Sequence, residues 1–158
     1  MTWQEVCEDR SLRNLPYKVE LDRGGRIVMS PHRKEHSAYQ GEIGALLSRL
    51  LPGGRVMSEC AIDTADGVKV ADVAWASRRR WLEMSDAPSC SVAPEICVEV
   101  TSLSNTDTEI EAKRRLYLEA GAAEVWVCDA DGCLWFFDAS GALSRSRRCP
   151  RFPKRVRL

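Results

Sequence analysis

Three charged side chains stand where their surroundings call for apolar ones. Asp72 lies in the strand-like run 68–76 and shares a face with Val68, Val70 and Ala74. Aspartate is a poor strand former and is rarely buried without a partner. Glu99 lies near the C-terminal end of Pro94-Glu95-Ile96-Cys97-Val98-Glu99-Val100-Thr101, the most apolar strand-like run in the chain. Lys113 falls on the apolar stripe of a helix-like segment, three residues after Ile110 and three and four before Leu116 and Tyr117. Each has an ordinary alternative on its own. Asp72 can end a strand and turn to solvent, Glu99 can pair with an arginine, and Lys113 can snorkel. Taken together they describe two carboxylates on adjacent strands and a lysine from the next helix, compensating one another in charge. Two hard oxygen ligands suit Mg2+ (or Mn2+ in its place), an ion that takes one or two protein carboxylates and keeps several waters. A lysine beside them can help orient or deprotonate a water and stabilise charge on a phosphate under attack.

The elements that must position these residues follow from periodicity. Residues 17–29 alternate around Gly24-Gly25, which predicts two short strands in a hairpin, stopped by Ser30-Pro31. Ile43, Leu46, Leu47 and Leu50 form one stripe of a helix from about residue 33 to 51, closed by Pro52-Gly53-Gly54. Extended backwards, that stripe passes through Tyr39, Gln40 and His36, with Glu35 and Glu42 flanking it. Residues 55–62 and 68–76 read as strands about a turn at 63–67, and 78–91 as an irregular or short helical connection. Residues 94–101, β-branched and apolar on both sides, read as a central strand covered on both faces. Thr106-x-x-Glu109 is a capping box that opens the helix carrying Lys113, and Gly121 stops it. Residues 124–129 and 133–138 read as strands joined at Asp131-Gly132, with a last strand pair expected around 143–148 and the end of the chain. This order predicts an α/β domain with a mixed sheet.

Several segments resemble the Uma-two family of the PD-(D/E)XK nuclease superfamily. They are Ser30-Pro31-His32, Val70-Ala71-Asp72-Val73, Glu99-Val100-Thr101-Ser102, the run from Lys113 to Gly121, the run from Glu124 to Asp129, and a closing Phe152-Pro153. The likeness covers about residues 15–158 and is most specific from Glu99 to Asp129. It implies a restriction-endonuclease-like fold, a mixed central β-sheet flanked by helices (αβββαβ core), here with an N-terminal β-hairpin. It implies a metal-dependent endonuclease that hydrolyses nucleic-acid phosphodiester bonds, with DNA the first expectation. Asp72 matches the first motif acid and Glu99 the second, as the ligands of Mg2+ or Mn2+. Thr101 stands where the simplest motif has its lysine, and Lys113 on the following helix takes that place. Ala71 stands where many relatives have proline, which alters backbone stiffness and not chemistry. The first helix often adds a polar residue to such sites. His36 and Gln40 are therefore candidates to touch substrate, metal or its water, with a satisfied core histidine as the competing reading of His36.

Composition sets the frame. The 158 residues predict a single domain, 44% hydrophobic and 29% charged, with 1–14 as a lead-in and 139–158 as a basic C-terminal segment. Lys+Arg and Asp+Glu are 23 each, so the formal net charge is zero. The last 20 residues hold seven of the basic side chains and no acid, leaving 16 basic and 23 acidic residues before them. Net neutrality excludes coating of nucleic acid by bulk charge, but not a local basic segment that meets phosphate. The N-terminus has no apolar signal-peptide core, and no run approaches a membrane span. Seven cysteines without a CxxC predict reduced thiols in the cytoplasm rather than disulfides or zinc ligands. Gly-rich phosphate loops, GxSxG and HExxH are absent, which counts against most other enzyme classes. Two readings compete with the nuclease: a catalytically inactive nucleic-acid- or protein-binding module on the same fold, and an α/β domain with no nucleic-acid role. A chain this short needs a second subunit to address both strands of a duplex, so a homodimer is expected.

Overall fold

The structure, a computed structural model, describes residues 1–158. In chain order the elements are α1 (Trp3–Glu8), a 3-10 turn (Arg10–Leu12), β1 (Tyr17–Leu21), β2 (Ile27–Pro31), α2 (Lys34–Leu50), β3 (Gly54–Thr64) and β4 (Gly67–Ser77). Then come α3 (Arg78–Glu83), β5 (Ile96–Val100), α4 (Asp107–Glu119), β6 (Glu124–Cys128), β7 (Leu134–Asp138) and β8 (Gly141–Leu143). Strands β3 to β8 form one six-stranded sheet in sequence order, while β1 and β2 form a separate antiparallel hairpin. Only β5 and β6 run parallel, and α4 makes the crossover between them. This is the mixed, helix-flanked sheet with an N-terminal hairpin that the sequence predicts.

The sheet is covered on both faces, which explains why its central strands are apolar on both sides. Ile96, Val98 and Val100 of β5 join Tyr39, Ile43 and Leu47 of α2, Trp126, Phe136 and Phe152 in one cluster. Cys97 of β5 joins Ala74, Val125 and Tyr117 of α4 in a second. Burying each such large side chain contributes about 1.5–3 kcal/mol. Val73 and Trp75 belong with α2 and Ala74 with α4, so period-two alternation puts Asp72 and Glu99 on the α4 side. The hairpin lies over β4, where Val19 and Leu21 pack with Val6 and Val68. Lys18 and Glu20, on the opposite face of β1, are therefore turned towards the body of the protein.

The lead-in carries an element of its own: Thr2 and Glu5 form a capping box that starts α1, whose Val6 is buried. Six residues are too few for a periodic signal, and the capping box is the only local sign. One expectation needs correction: the strand pair expected around 143–148 does not form beyond Leu143. β8 ends at Leu143, and the chain end makes a single bridge, Cys133 to Arg155. The reason is the buried Glu124 carboxylate. It accepts the backbone N–H groups of Arg147 (2.7 Å) and Arg148 (3.0 Å), the Ser146 hydroxyl (2.6 Å) and the Trp126 indole N–H (2.8 Å). N–H groups that a ladder would need are thus held in a turn.

Candidate active site

The two carboxylates meet because β4 and β5 part company beside them. Their antiparallel ladder pairs Val73 with Val98, Ala74 with Cys97 and Trp75 with Ile96. One further step of that register sets Asp72 opposite Glu99, yet the ladder has stopped there. β3 is disturbed at the same level. Met57, Ser58 and Cys60 pair with Ala74, Val73 and Ala71, while Glu59 is skipped and takes a left-handed backbone (φ 54°). A non-glycine residue in that region is strained and commonly marks a functional site.

The opening is filled by charge. Both carboxylates are buried, Asp72 with 0% and Glu99 with 4% of its surface exposed. Lys18 of β1 bridges them, its Nζ 3.0 Å from Asp72 Oδ1 and 3.1 Å from Glu99 Oε2. Lys113 of α4 lies 2.7 Å from Glu20 Oε1 and 3.5 Å from Glu99 Oε1. One helical turn on, Tyr117 donates its hydroxyl to Glu99 Oε1 at 2.6 Å, so Lys113 and Tyr117 address Glu99 from one face of α4. Glu20 Oε1 also accepts the Val70 N–H at 2.8 Å, which ties β1 to β4. Asp72 Oδ2 accepts the Val100 N–H at 2.7 Å and lies 3.2 Å from His36 Nε2. The other ring nitrogen of His36 is buried without a partner, and the His32 and His36 rings lie tilted against each other with centroids 4.8 Å apart.

Their electrostatics follow from this packing. Burial works against the charge on Asp72, but the His36 contact, the Lys18 charge and the Val100 N–H outweigh it and hold the carboxyl well below the usual carboxylate range. Glu99 goes the other way: burial raises it, Asp72 and Glu20 add repulsion, and Lys113 and Lys18 only partly offset these. Burial opposes the charge on Lys18, and the carboxylates of Glu99, Asp72 and Glu20 overcome it, so the ammonium is held charged. Tyr117 is raised by burial and by Glu99, which keeps its hydroxyl protonated and donating.

The sequence-derived trio of Asp72, Glu99 and Lys113 is therefore brought together, and His36 joins it through Asp72. Gln40 is not in the cluster. It donates to Glu59 Oε1 at 3.3 Å and lines an open cleft of about 480 Å3 with His32, Ser37, Gly44 and Val73. Lys18 and Glu20 escape the sequence reading. In Tyr17-Lys18-Val19-Glu20-Leu21 they occupy the alternate positions that a hairpin normally turns to water, so the pattern carries no sign of burial. As a test of metal fit, no set of three or more His, Cys, Asp or Glu side chains is arranged as a cage. Mg2+ needs no such cage. Two carboxylates already converge on one cation, the Lys18 ammonium, and His36 Nε2 backs Asp72 from the other side. The donor set fits a hard divalent ion in place of that ammonium.

A solved structure shares this architecture. The chain aligns with the crystal structure of a putative nuclease belonging to DUF820 from Anabaena variabilis ATCC 29413, with a TM-score of 0.66 over 97% of this chain and 82% of that one, at 17% identity. The two chains thus share one fold, a mixed α/β sheet flanked by helices. The sequence matches the Uma2 family, described as "Putative restriction endonuclease", over residues 3–149, and the chain belongs to that family. No curated protein matches the sequence.

Proposed function

We propose that this protein is a Mg2+- or Mn2+-dependent endonuclease that hydrolyses phosphodiester bonds in nucleic acid, with DNA as the substrate. The observation that carries the reading is the convergence of Asp72, Glu99 and Lys113, from two strands and a helix, at the point where β4 and β5 separate. Asp72 and Glu99 would hold the ion. When bound, it supplies charge neutralisation at the phosphate and a lowered pKa for a coordinated water. The chain's own groups do the positioning. The Val100 N–H and His36 fix Asp72, and Tyr117 fixes one oxygen of Glu99. Lys113, anchored by Glu20, is the group to orient the attacking water or to bear against phosphate charge. The cleft lined by Gln40 and His32 adjoins the cluster through the His32–His36 ring contact and is read as the path of the substrate strand.

The expected result is Mg2+- or Mn2+-dependent cleavage of a mixed panel of DNA and RNA that is lost in Asp72→Ala. No cleavage beyond that of the variant would reject the reading. The seven exposed basic residues after Asp138 favour a second reading, a binding module without catalysis. Salt-dependent affinity that survives loss of Asp72 and Glu99, with no cleavage, identifies it. A homodimer is proposed for addressing both strands of a duplex. A reducing, cytoplasmic setting suits the seven unpaired cysteines.

A further inference from the structure

We propose that Lys18 is a built-in cation that occupies the divalent-ion position of the metal-free protein, and that the ion binds by exchange with it. The inference rests on the metal-dependent reading above. Lys18 Nζ touches one oxygen of each carboxylate, Asp72 Oδ1 and Glu99 Oε2, so it stands where an ion shared by the two would stand. A divalent ion and an ammonium cannot share those two oxygens. Both would sit within a few ångströms of each other in a site where Asp72 and Glu99 are almost wholly buried, and like charges repel strongly there.

The two lysines are held differently. Lys113 has an anchor of its own in Glu20, at 2.7 Å, so it can stay when an ion arrives. The Lys18 ammonium makes hydrogen bonds only to Asp72 and Glu99. It also enters from a hairpin that shares no ladder with the six-stranded sheet. Its long, flexible side chain can therefore withdraw without unzipping a strand. Charge gives the reason for its presence. Glu20, Asp72 and Glu99 place three carboxylates against the ammoniums of Lys18 and Lys113. Without Lys18 the metal-free cluster would hold two buried, poorly compensated carboxylates, an arrangement that destabilises a fold. Lys18 thus acts as a positioning residue that keeps the empty site intact and sets how tightly it takes an ion.

The test is calorimetric titration of Mn2+ into the wild-type protein, Lys18→Met, Lys18→Arg and Asp72→Asn, each checked for fold by circular dichroism. Lys18→Met is expected to bind Mn2+ at least tenfold more tightly than wild type, Lys18→Arg no more tightly, and Asp72→Asn not at all. Affinity that is equal or weaker in a folded Lys18→Met overturns the exchange and leaves the metal-dependent reading standing. Absence of binding in both wild type and Lys18→Met overturns that reading, and the exchange with it. A second measurement uses wild type alone. Acylation of the buried Lys18 amine, followed by mass spectrometry, should rise several-fold on adding Mg2+, and an unchanged rate counts against the exchange.

Discussion

At Glu99, one buried carboxylate serves Lys18, Lys113 and Tyr117, and Tyr117 is the neutral partner among them. Its 2.6 Å bond goes to a charged acceptor, so Tyr117→Phe should cost about 1.5–3 kcal/mol of stability. Urea denaturation of the metal-free protein reads this directly, and a change within error would place the hydroxyl outside the network. A second residue-scale prediction concerns Cys90, whose Sγ lies 3.6 Å from that of the buried Cys60. The Cys60 thiol bonded to it lowers Cys90 below the ordinary thiol value, against the opposing effects of burial and Asp63. A lowered thiol value means more thiolate at a given pH, and thiolate is the reactive form. Iodoacetamide labelling of Cys90 should therefore rise with pH through a midpoint below that of a free thiol, while the fully buried Cys97 stays unlabelled. A Cys90 midpoint at the free-thiol value would contradict this. Legibility in the sequence is uneven at this scale. Asp72, Glu99 and Lys113 are visible because each breaks an apolar pattern. Lys18 and Glu20 obey a pattern that also describes a solvent-facing strand, and only the stacking of hairpin on sheet reveals that they face inward.

At the scale of elements, the cluster depends on how the hairpin is seated against β4. Gly67 opens β4 with a left-handed backbone (φ 79°), and a side chain there would run into the backbone carbonyls of Leu21 and Asp22. The turn between β3 and β4 thus touches the end of β1, the strand that carries Lys18. Gly67→Ala should destabilise the protein by about 2 kcal/mol, because it combines backbone strain with a clash that pushes the hairpin away. The same shift should increase acylation of Lys18, whereas loss of stability with Lys18 still protected would confine the damage to the turn. Long elements are readable from periodicity and caps, as in α2 and in α4 with its Thr106–Glu109 capping box. Short ones are not. α1 has too few residues to show a period. The fate of residues 144–148 is decided by Glu124, 22 to 24 residues from its partners in sequence, through side-chain bonds that no local pattern encodes.

Across the whole molecule, net neutrality conceals a separation of charge. The acidic cluster lies where β5 and β6 run out at the C-terminal end of their parallel pair, and residues 154–156 of the basic chain end are pinned to that same end of the sheet, while Arg147 and Arg148 are held by Glu124 at the other. Val156 N–H donates to the Gly132 carbonyl at 2.8 Å, Arg155 Nε donates to the Asp131 carbonyl at 3.1 Å, and Tyr39, one turn after His36, donates to the Ala130 carbonyl at 3.5 Å. All seven basic side chains of the last 20 residues are exposed. Of these, Lys154 and Arg155 lie at the end of the sheet that carries the cluster. Replacing Lys154 and Arg155 together by Glu should weaken binding across all DNA sequences. It should also flatten the logarithmic salt dependence by about one for each phosphate no longer neutralised. An unchanged slope would remove the segment from the interface. Anomalous diffraction from a crystal soaked in Mn2+ tests the exchange at the paired carboxylates most directly. The expected result is an anomalous peak between the carboxylates of Asp72 and Glu99, with Lys18 Nζ withdrawn from both and Lys113 still on Glu20. Lys18 still bridging the two carboxylates at saturating Mn2+, with no peak beside them, would contradict it.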